Sequence, residues 1–171
     1  MSNATTAGRR PSDRRGVLFL VSALVILLDR VTKIAVAHML PLGGEHVVIP
    51  KVFWISHVLN TGAAFSLFGD TASPERVRWL LVGFSLIAAV IVGIVLVRIG
   101  RRITPTTFGL ALILGGAIGN VWDRIRTGAV IDFLEVHIVH YHWPDFNLAD
   151  SCIVIGGILL VLHSLVAARE Q

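Results

Sequence analysis

Two carboxylates stand inside apolar sequence in the second half of this 171-residue chain. Asp132 lies within Ala129-Val130-Ile131-Asp132-Phe133-Leu134, and Asp150 ends Phe146-Asn147-Leu148-Ala149-Asp150. An acid among apolar neighbours resists ionisation, and two that meet there cannot both ionise cheaply. Sharing one proton makes one acid a base for water and the other an acid toward a scissile carbonyl and its leaving amine, and such a pair titrates as a unit. Asp150 also has a structural reading. Asn147, three residues earlier, forms with it a relative of the capping box at a helix start, where an acid suits the helix dipole. Both readings stand at this point.

The surrounding stretch, Gly115 to Asp150, is dense in other polar groups. Asn120 and Arg124 are four apart with Asp123 adjacent, so all three lie on or near one helical face. They line the same site, or Asp123 and Arg124 form an interfacial snorkelling pair. Gly115, Gly116 and Gly119 allow close helix approach, and Gly128 offers a turn. His137, His140 and His142, with His46 and His57 on the same side, invite a metal reading, and strand alternation puts His140 and His142 on one face. No His-Glu-x-x-His helix accompanies them, so no metal is expected. Cys152 is the sole cysteine and reads as a small buried residue, which excludes an intramolecular disulfide.

The elements that position these groups are apolar. The chain is 54% hydrophobic and 15% charged, with mean hydropathy +0.77, whereas a soluble domain carries about a quarter charged residues. Its net charge of +4 does not indicate nucleic acid, because no basic patch is interleaved with aromatics. Uncharged runs span Trp79 to Val97, Ile103 to Trp122 and Ser151 to Ala168, each long enough to cross a bilayer. The run Gly16 to Leu28 follows four arginines in the manner of a signal peptide, but Asp29, Arg30 and Lys33 precede the small-x-small site Ala35-Val36-Ala37. It reads as an uncleaved first helix. Thirteen residues rise about 20 Å of a hydrocarbon core about 30 Å thick, so Asp29 and Lys33 enter with it. Their i,i+4 spacing turns both toward protein.

The expected fold is a mainly α membrane protein of one domain, residues 1–171. Four transmembrane helices fall near 16–38, 76–98, 103–125 and 149–168, with an outward-facing β-rich segment near 41–72. Arg9, Arg10, Arg14, Arg15, Arg98, Arg101, Arg102 and Arg169 then share the side of both termini, which the positive-inside rule assigns to the cytoplasm. Arg76, Arg78 and Arg126 run against that trend. Pro41, Gly43 and Gly44 signal a turn before the β-branched and aromatic stretch Val47 to Leu59, and Ser73-Pro74-Glu75 reads as an N-cap, N1 and first-turn acid.

At these residues the sequence resembles the lipoprotein signal peptidases, or signal peptidase II, a bacterial family of intramembrane aspartyl proteases. Asp29-Arg30-Val31-Thr32-Lys33 resembles the family's first-helix motif, and Asn60-Thr61-Gly62-Ala63-Ala64-Phe65-Ser66 its outer-loop motif. Gly115 to Arg124 with Val130-Ile131-Asp132-Phe133 resembles the third block, and Phe146 to Asp150 the fourth. The resemblance implies cleavage of a diacylglyceryl-modified prolipoprotein just before its lipidated cysteine, near the outer leaflet of the cytoplasmic (inner) membrane. It implies Asp132 and Asp150 as a catalytic dyad, with Asn60, Gly62, Ala64, Asn120, Arg124 and Asn147 lining the site. Asp29 and Lys33 match a structural pair, to which Asp123 is added as support. No cofactor or metal is implied, and partners are prolipoproteins, membrane lipids and globomycin-type inhibitors. Phe65, Phe68 and Trp54 are expected near the headgroup level. Asp145 departs from the family pattern, which has a small uncharged residue there, and adds a carboxylate near the dyad. The alternative from another class is a small proton-coupled transporter or lipid-binding membrane protein using the same acids as a relay.

Overall fold

A computed structural model describes residues 13–62 and 73–169. In chain order it contains α1 (Arg15–Met39), β1 (Glu45–Ile49), β2 (Phe53–Asn60), α2 (Pro74–Ile99), α3 (Pro105–Thr127), β3 (Val130–Ile138), β4 (Tyr141–Phe146) and α4 (Leu148–Arg169). All four helices begin and end within two residues of the bounds read from the apolar runs.

Local chemistry accounts for the helix ends. The Ser73 hydroxyl accepts from the Arg76 amide at 3.4 Å, with Pro74 in the first turn. Thr104 and Thr107 make a reciprocal capping box ahead of α3, which stops at Gly128 in the left-handed region at φ 84°. Arg78, one of the arginines opposing the charge trend, donates from Nε to the Arg124 carbonyl and from a terminal nitrogen to the Ile125 carbonyl, both at 2.7 Å. It thereby satisfies the last carbonyls of α3 and complements that helix's dipole.

α3 is the central helix, packing against α1, α2 and α4. Leu18, Ala89, Leu96, Leu110, Ala111 and Leu114 form the apolar core shared by α1, α2 and α3. The helices are inside-out relative to a water-soluble bundle. On α1 the buried stripe is Leu18, Ser22, Val25, Asp29, Lys33 and Val36, while Leu20, Leu24, Leu27, Leu28 and Val31 point outward. α2, α3 and α4 are long and apolar enough to cross a membrane. α1 has the length as well, but it carries Asp29, Arg30 and Lys33 within its apolar sequence. Glycine sets the spacing between α3 and α4. A Cβ built on Gly116 would lie 2.4 Å from the Ala149 carbonyl oxygen, a distance no side chain tolerates.

The β structure is larger than expected. β1 and β2 come from the first outer segment, but β3 and β4 come from the α3–α4 connection, beyond the β-rich segment expected near 41–72. Together they form a four-stranded antiparallel meander in the order β1-β2-β3-β4. Asn60 pairs with Val130, Val58 with Asp132, and His137 with His142. Asp132 is therefore a strand residue near the start of β3, and the Phe146 end of β4 leads directly into α4 and Asp150.

Candidate active site

Asn147, immediately after β4, links the two acids. Its side-chain nitrogen donates to Asp132 Oδ1 at 2.7 Å, and its backbone N–H donates to Asp150 Oδ2 at 3.2 Å. Its side-chain oxygen accepts from the Asp150 amide at 3.0 Å, which completes the reciprocal cap of α4. The capping reading of Asp150 is thus correct for Oδ2. Oδ1 faces elsewhere and accepts from Asn120 Nδ2 at 2.7 Å.

The other Asp132 oxygen, Oδ2, accepts from Asn60 Nδ2 at 2.9 Å. Asn60 is held in that orientation because its own oxygen accepts from the Gly62 amide at 2.8 Å, with Gly62 at φ 84°. A Cβ at Gly62 would also meet Leu81 Cδ1 at 2.5 Å. Asp132 is 2% exposed, and this burial is the main reason its carboxyl is pushed up to about 6 from 3.8. The Asn60 and Asn147 hydrogen bonds pull the value back down, and the charge of Asp150 adds to the rise. Because the folded-state value is raised, protonated Asp132 favours folding. That contribution is fully present below about 3.8 and is lost as pH rises through about 6.

A second shell of charge sets the direction of the amide network. Lys33 Nζ, fully buried, lies 2.8 Å from Asp29 Oδ2 and 2.7 Å from Asp123 Oδ2, the latter an ion pair without hydrogen-bond geometry. It also donates to Asn120 Oδ1 at 3.0 Å. Lysine has only donors, so it compels the Asn120 oxygen to face it and the amide nitrogen to face Asp150. The same oxygen receives Asn147 Nδ2 at 3.2 Å. Asp123 also pairs with Arg30 at 2.5 Å, and Asp29 Oδ1 accepts the Ala149 amide at 3.1 Å beside Asp150. Asp29 and Asp123 are thereby balanced by Lys33 and Arg30.

The expected structural trio therefore coheres, with Arg30 as a member that went unread. Its partner Asp123 is 93 positions away, and no local spacing announces the pair. The snorkelling alternative for Asp123 is overturned, since its side chain is 2% exposed and faces α1. Arg124 carries a buried Nε with no hydrogen-bond partner among the described residues, and it feels the charges of Asp150, Asp132 and Asp123. Asp145 is held by the Ser56 hydroxyl at 2.9 Å, so that carboxylate has its own partner on β2. Ala64, Phe65 and Phe68 lie outside the described residues. Trp54 stacks on His137, with ring centroids 3.8 Å apart.

The histidines divide. His57 bonds the Leu40 carbonyl at 2.9 Å, and His140 sits in the turn between β3 and β4. The strand-face pairing expected of His140 and His142 is corrected, because His142 stands opposite His137 instead and stacks on it at 3.8 Å.

The charge network predicts an order of stabilities. Lys33→Met leaves Asp29 buried without a cation, a loss of about 3–5 kcal/mol in comparable pairs. Asp29→Ala leaves Lys33 with Asp123 and orphans chiefly the Ala149 N–H, a loss of about 1–3 kcal/mol. Thermal unfolding should place Lys33→Met below Asp29→Ala and both below the parent. The reverse order would remove Lys33 from the centre of the network.

The chain is similar to known proteins over most of its length. A family model described as Signal peptidase (SPase) II matches residues 21–166. The chain is 46% identical over 149 residues to the lipoprotein signal peptidase of Paraburkholderia phymatum, covering 87% of each chain. It is 44% identical over 155 residues to that of Pseudomonas putida, covering 88% of each. A bacterial membrane enzyme solved by the in meso method superposes with a TM-score of 0.73 at 32% identity, over 88% of this chain and 93% of that one. With a family match over most of its length, this chain belongs to the signal peptidase II family and is an aspartic-type membrane protease.

Proposed function

We propose that the chain removes signal peptides from diacylglyceryl-modified prolipoproteins, using Asp132 and Asp150 as a dyad that activates water. The observation that carries the reading is the tether through Asn147, one residue hydrogen-bonded to both carboxylates. Burial favours the proton on Asp132. Asp132 gives it to the carbonyl oxygen as Asp150 takes one from the attacking water. On collapse of the tetrahedral intermediate Asp150 passes its proton to the leaving amine while Asp132 recovers one from the gem-diol hydroxyl, so the dyad again holds a single proton. The two acids with one proton carry one net negative charge, which Arg124 balances. Arg124 is also the cation best placed in sequence to steady a substrate carbonyl or headgroup. By the family resemblance, Asn60, Gly62, Asn120 and Asn147, with Ala64 from outside the described residues, are the neutral groups expected to meet an extended peptide.

The distribution of arginines supports four crossings, with both termini cytoplasmic and the sheet and both acids at the outer leaflet of the bacterial inner membrane. The relay alternative needs polar groups through the full depth. The inner half of α4 instead presents Val161, Leu162, Leu165 and Val166, and Thr106 and His163 bond each other at 2.8 Å. The direct test is incubation of the purified protein with a diacylglyceryl precursor, with release of the signal peptide as the expected result.

The kcat/KM profile should fall on its alkaline side as the shared proton is lost near pH 6. Asn60→Ala, which removes a hydrogen bond that lowers the Asp132 value, should move that limb to higher pH. A limb that stays in place would separate Asp132 from the pH dependence. Separately, EDTA should leave cleavage unchanged, because the water is activated by carboxylate. Loss with EDTA and rescue by zinc, at a temperature where the stripped protein stays folded, would shift the chemistry to a metal.

A further inference from the structure

The outer hairpin gathers ligands that the proteolytic reading leaves unused. Glu135 and His137 are two apart on β3 and so share one face, and His142 on β4 is directly opposite His137. His137 Nε2 lies 2.5 Å from Glu135 Oε1, and the donor atoms of all three residues fall within 4.8 Å of one another. Trp54 stacks on one side of the His137 ring and His142 on the other, each at a centroid distance of 3.8 Å. Asp132, three residues back along β3, leaves the strand on the other face.

We propose that Glu135, His137 and His142 form a binding site for one divalent first-row transition-metal ion. Two imidazoles and one carboxylate are a borderline donor set that suits zinc, nickel or copper and disfavours calcium or magnesium. At metal–ligand distances of about 2.0–2.2 Å, a tetrahedral centre holds its donors about 3.4 Å apart. The donors here lie within reach of that spacing, at 2.5 Å for His137 and Glu135 and no more than 4.8 Å for any pair. Glu135 moves slightly away from His137, and the His142 ring, exposed at the surface, tilts out of its stack. Trp54 keeps the His137 ring in place while this happens, the role an outer-shell partner plays for a ligating histidine. Water completes the coordination from the open side. The ion joins β3 to β4, the two strands that carry Asp132 and lead to Asp150. It stabilises the hairpin and does not touch the acids.

The test is zinc titration of the untagged full chain in detergent, after stripping with chelator and against a chromophoric competitor. The expected result is saturation at about one ion per chain, with a rise in Tm. His142→Ala and Glu135→Gln should each weaken binding at least about tenfold, since loss of a mere outer-shell partner already costs that much. His140→Ala, a change in the turn, should bind as the parent does. In the unmutated chain, zinc should protect His137 and His142 from diethylpyrocarbonate and leave His140 reactive. Absence of saturable binding, parent-like affinity in His142→Ala, or equal protection of His140 would each overturn the site and leave Glu135 and His137 as a plain hydrogen-bonded pair.

Discussion

Asp132→Asn should abolish cleavage while the protein still folds. The amide has the shape of the carboxyl and can keep its oxygen toward one of its two donors, Asn60 or Asn147. The other donor then faces an NH₂ group, which costs stability at one buried contact without opening the sheet. What the amide cannot do is exchange a proton. General acid–base help alone is worth about 10²- to 10⁴-fold, and the loss should exceed that range if the two acids act as a unit. Far-UV circular dichroism on the same sample separates lost chemistry from lost fold. A folded Asp132→Asn variant within tenfold of the parent rate would remove Asp132 from the reaction.

The second large effect concerns lipid. A precursor bearing a diacylglyceryl cysteine should be cleaved efficiently, and its free-thiol counterpart hardly at all at equal concentration. The reasoning starts from the apolar faces that α1, α2 and α4 turn outward, with Leu24, Leu27, Phe84, Ile87, Ile155 and Ile158 among the exposed side chains. On the proposed function, a substrate anchored in the same bilayer would meet the site at the membrane. At about 0.8 kcal/mol per buried CH₂, even partial loss of two acyl chains lowers its local concentration by orders of magnitude. The neutral asparagines around the acids offer hydrogen bonds to peptide backbone and no charged pocket for a free thiol. Similar kcat/KM for the two precursors would show that the peptide alone is recognised.

Helices were legible because a lipid-facing surface writes itself as an uninterrupted apolar run, and Ser73-Pro74 and Gly128 mark their ends in local chemistry. The acids were legible because Asp132 and Asp150 break apolar sequence. The β3–β4 hairpin was not. Its turn is Val139-His140, with Val139 at φ 58°, where glycine, asparagine or aspartate is the usual signal. Its pairing with β2 joins Asn60 to Val130, a contact no local pattern encodes. The dual use of Asp150 was equally hidden. Spacing to Asn147 predicts the cap, but only packing against Gly116 on α3 brings Asn120 to the second oxygen.

That division of the Asp150 carboxylate makes its amide variant the most direct test of the dyad. Asp150→Asn can still accept from the Asn147 backbone N–H, so α4 stays capped; its NH₂ then faces the Asn120 nitrogen, which lowers Tm at one contact without unfolding the protein. Turnover of a diacylglyceryl precursor by the purified variant, with the product identified by mass spectrometry, should fall below detection at parent enzyme concentration. Near-parent cleavage by Asp150→Asn would show that the carboxylate is a helix cap alone and would contradict the dyad.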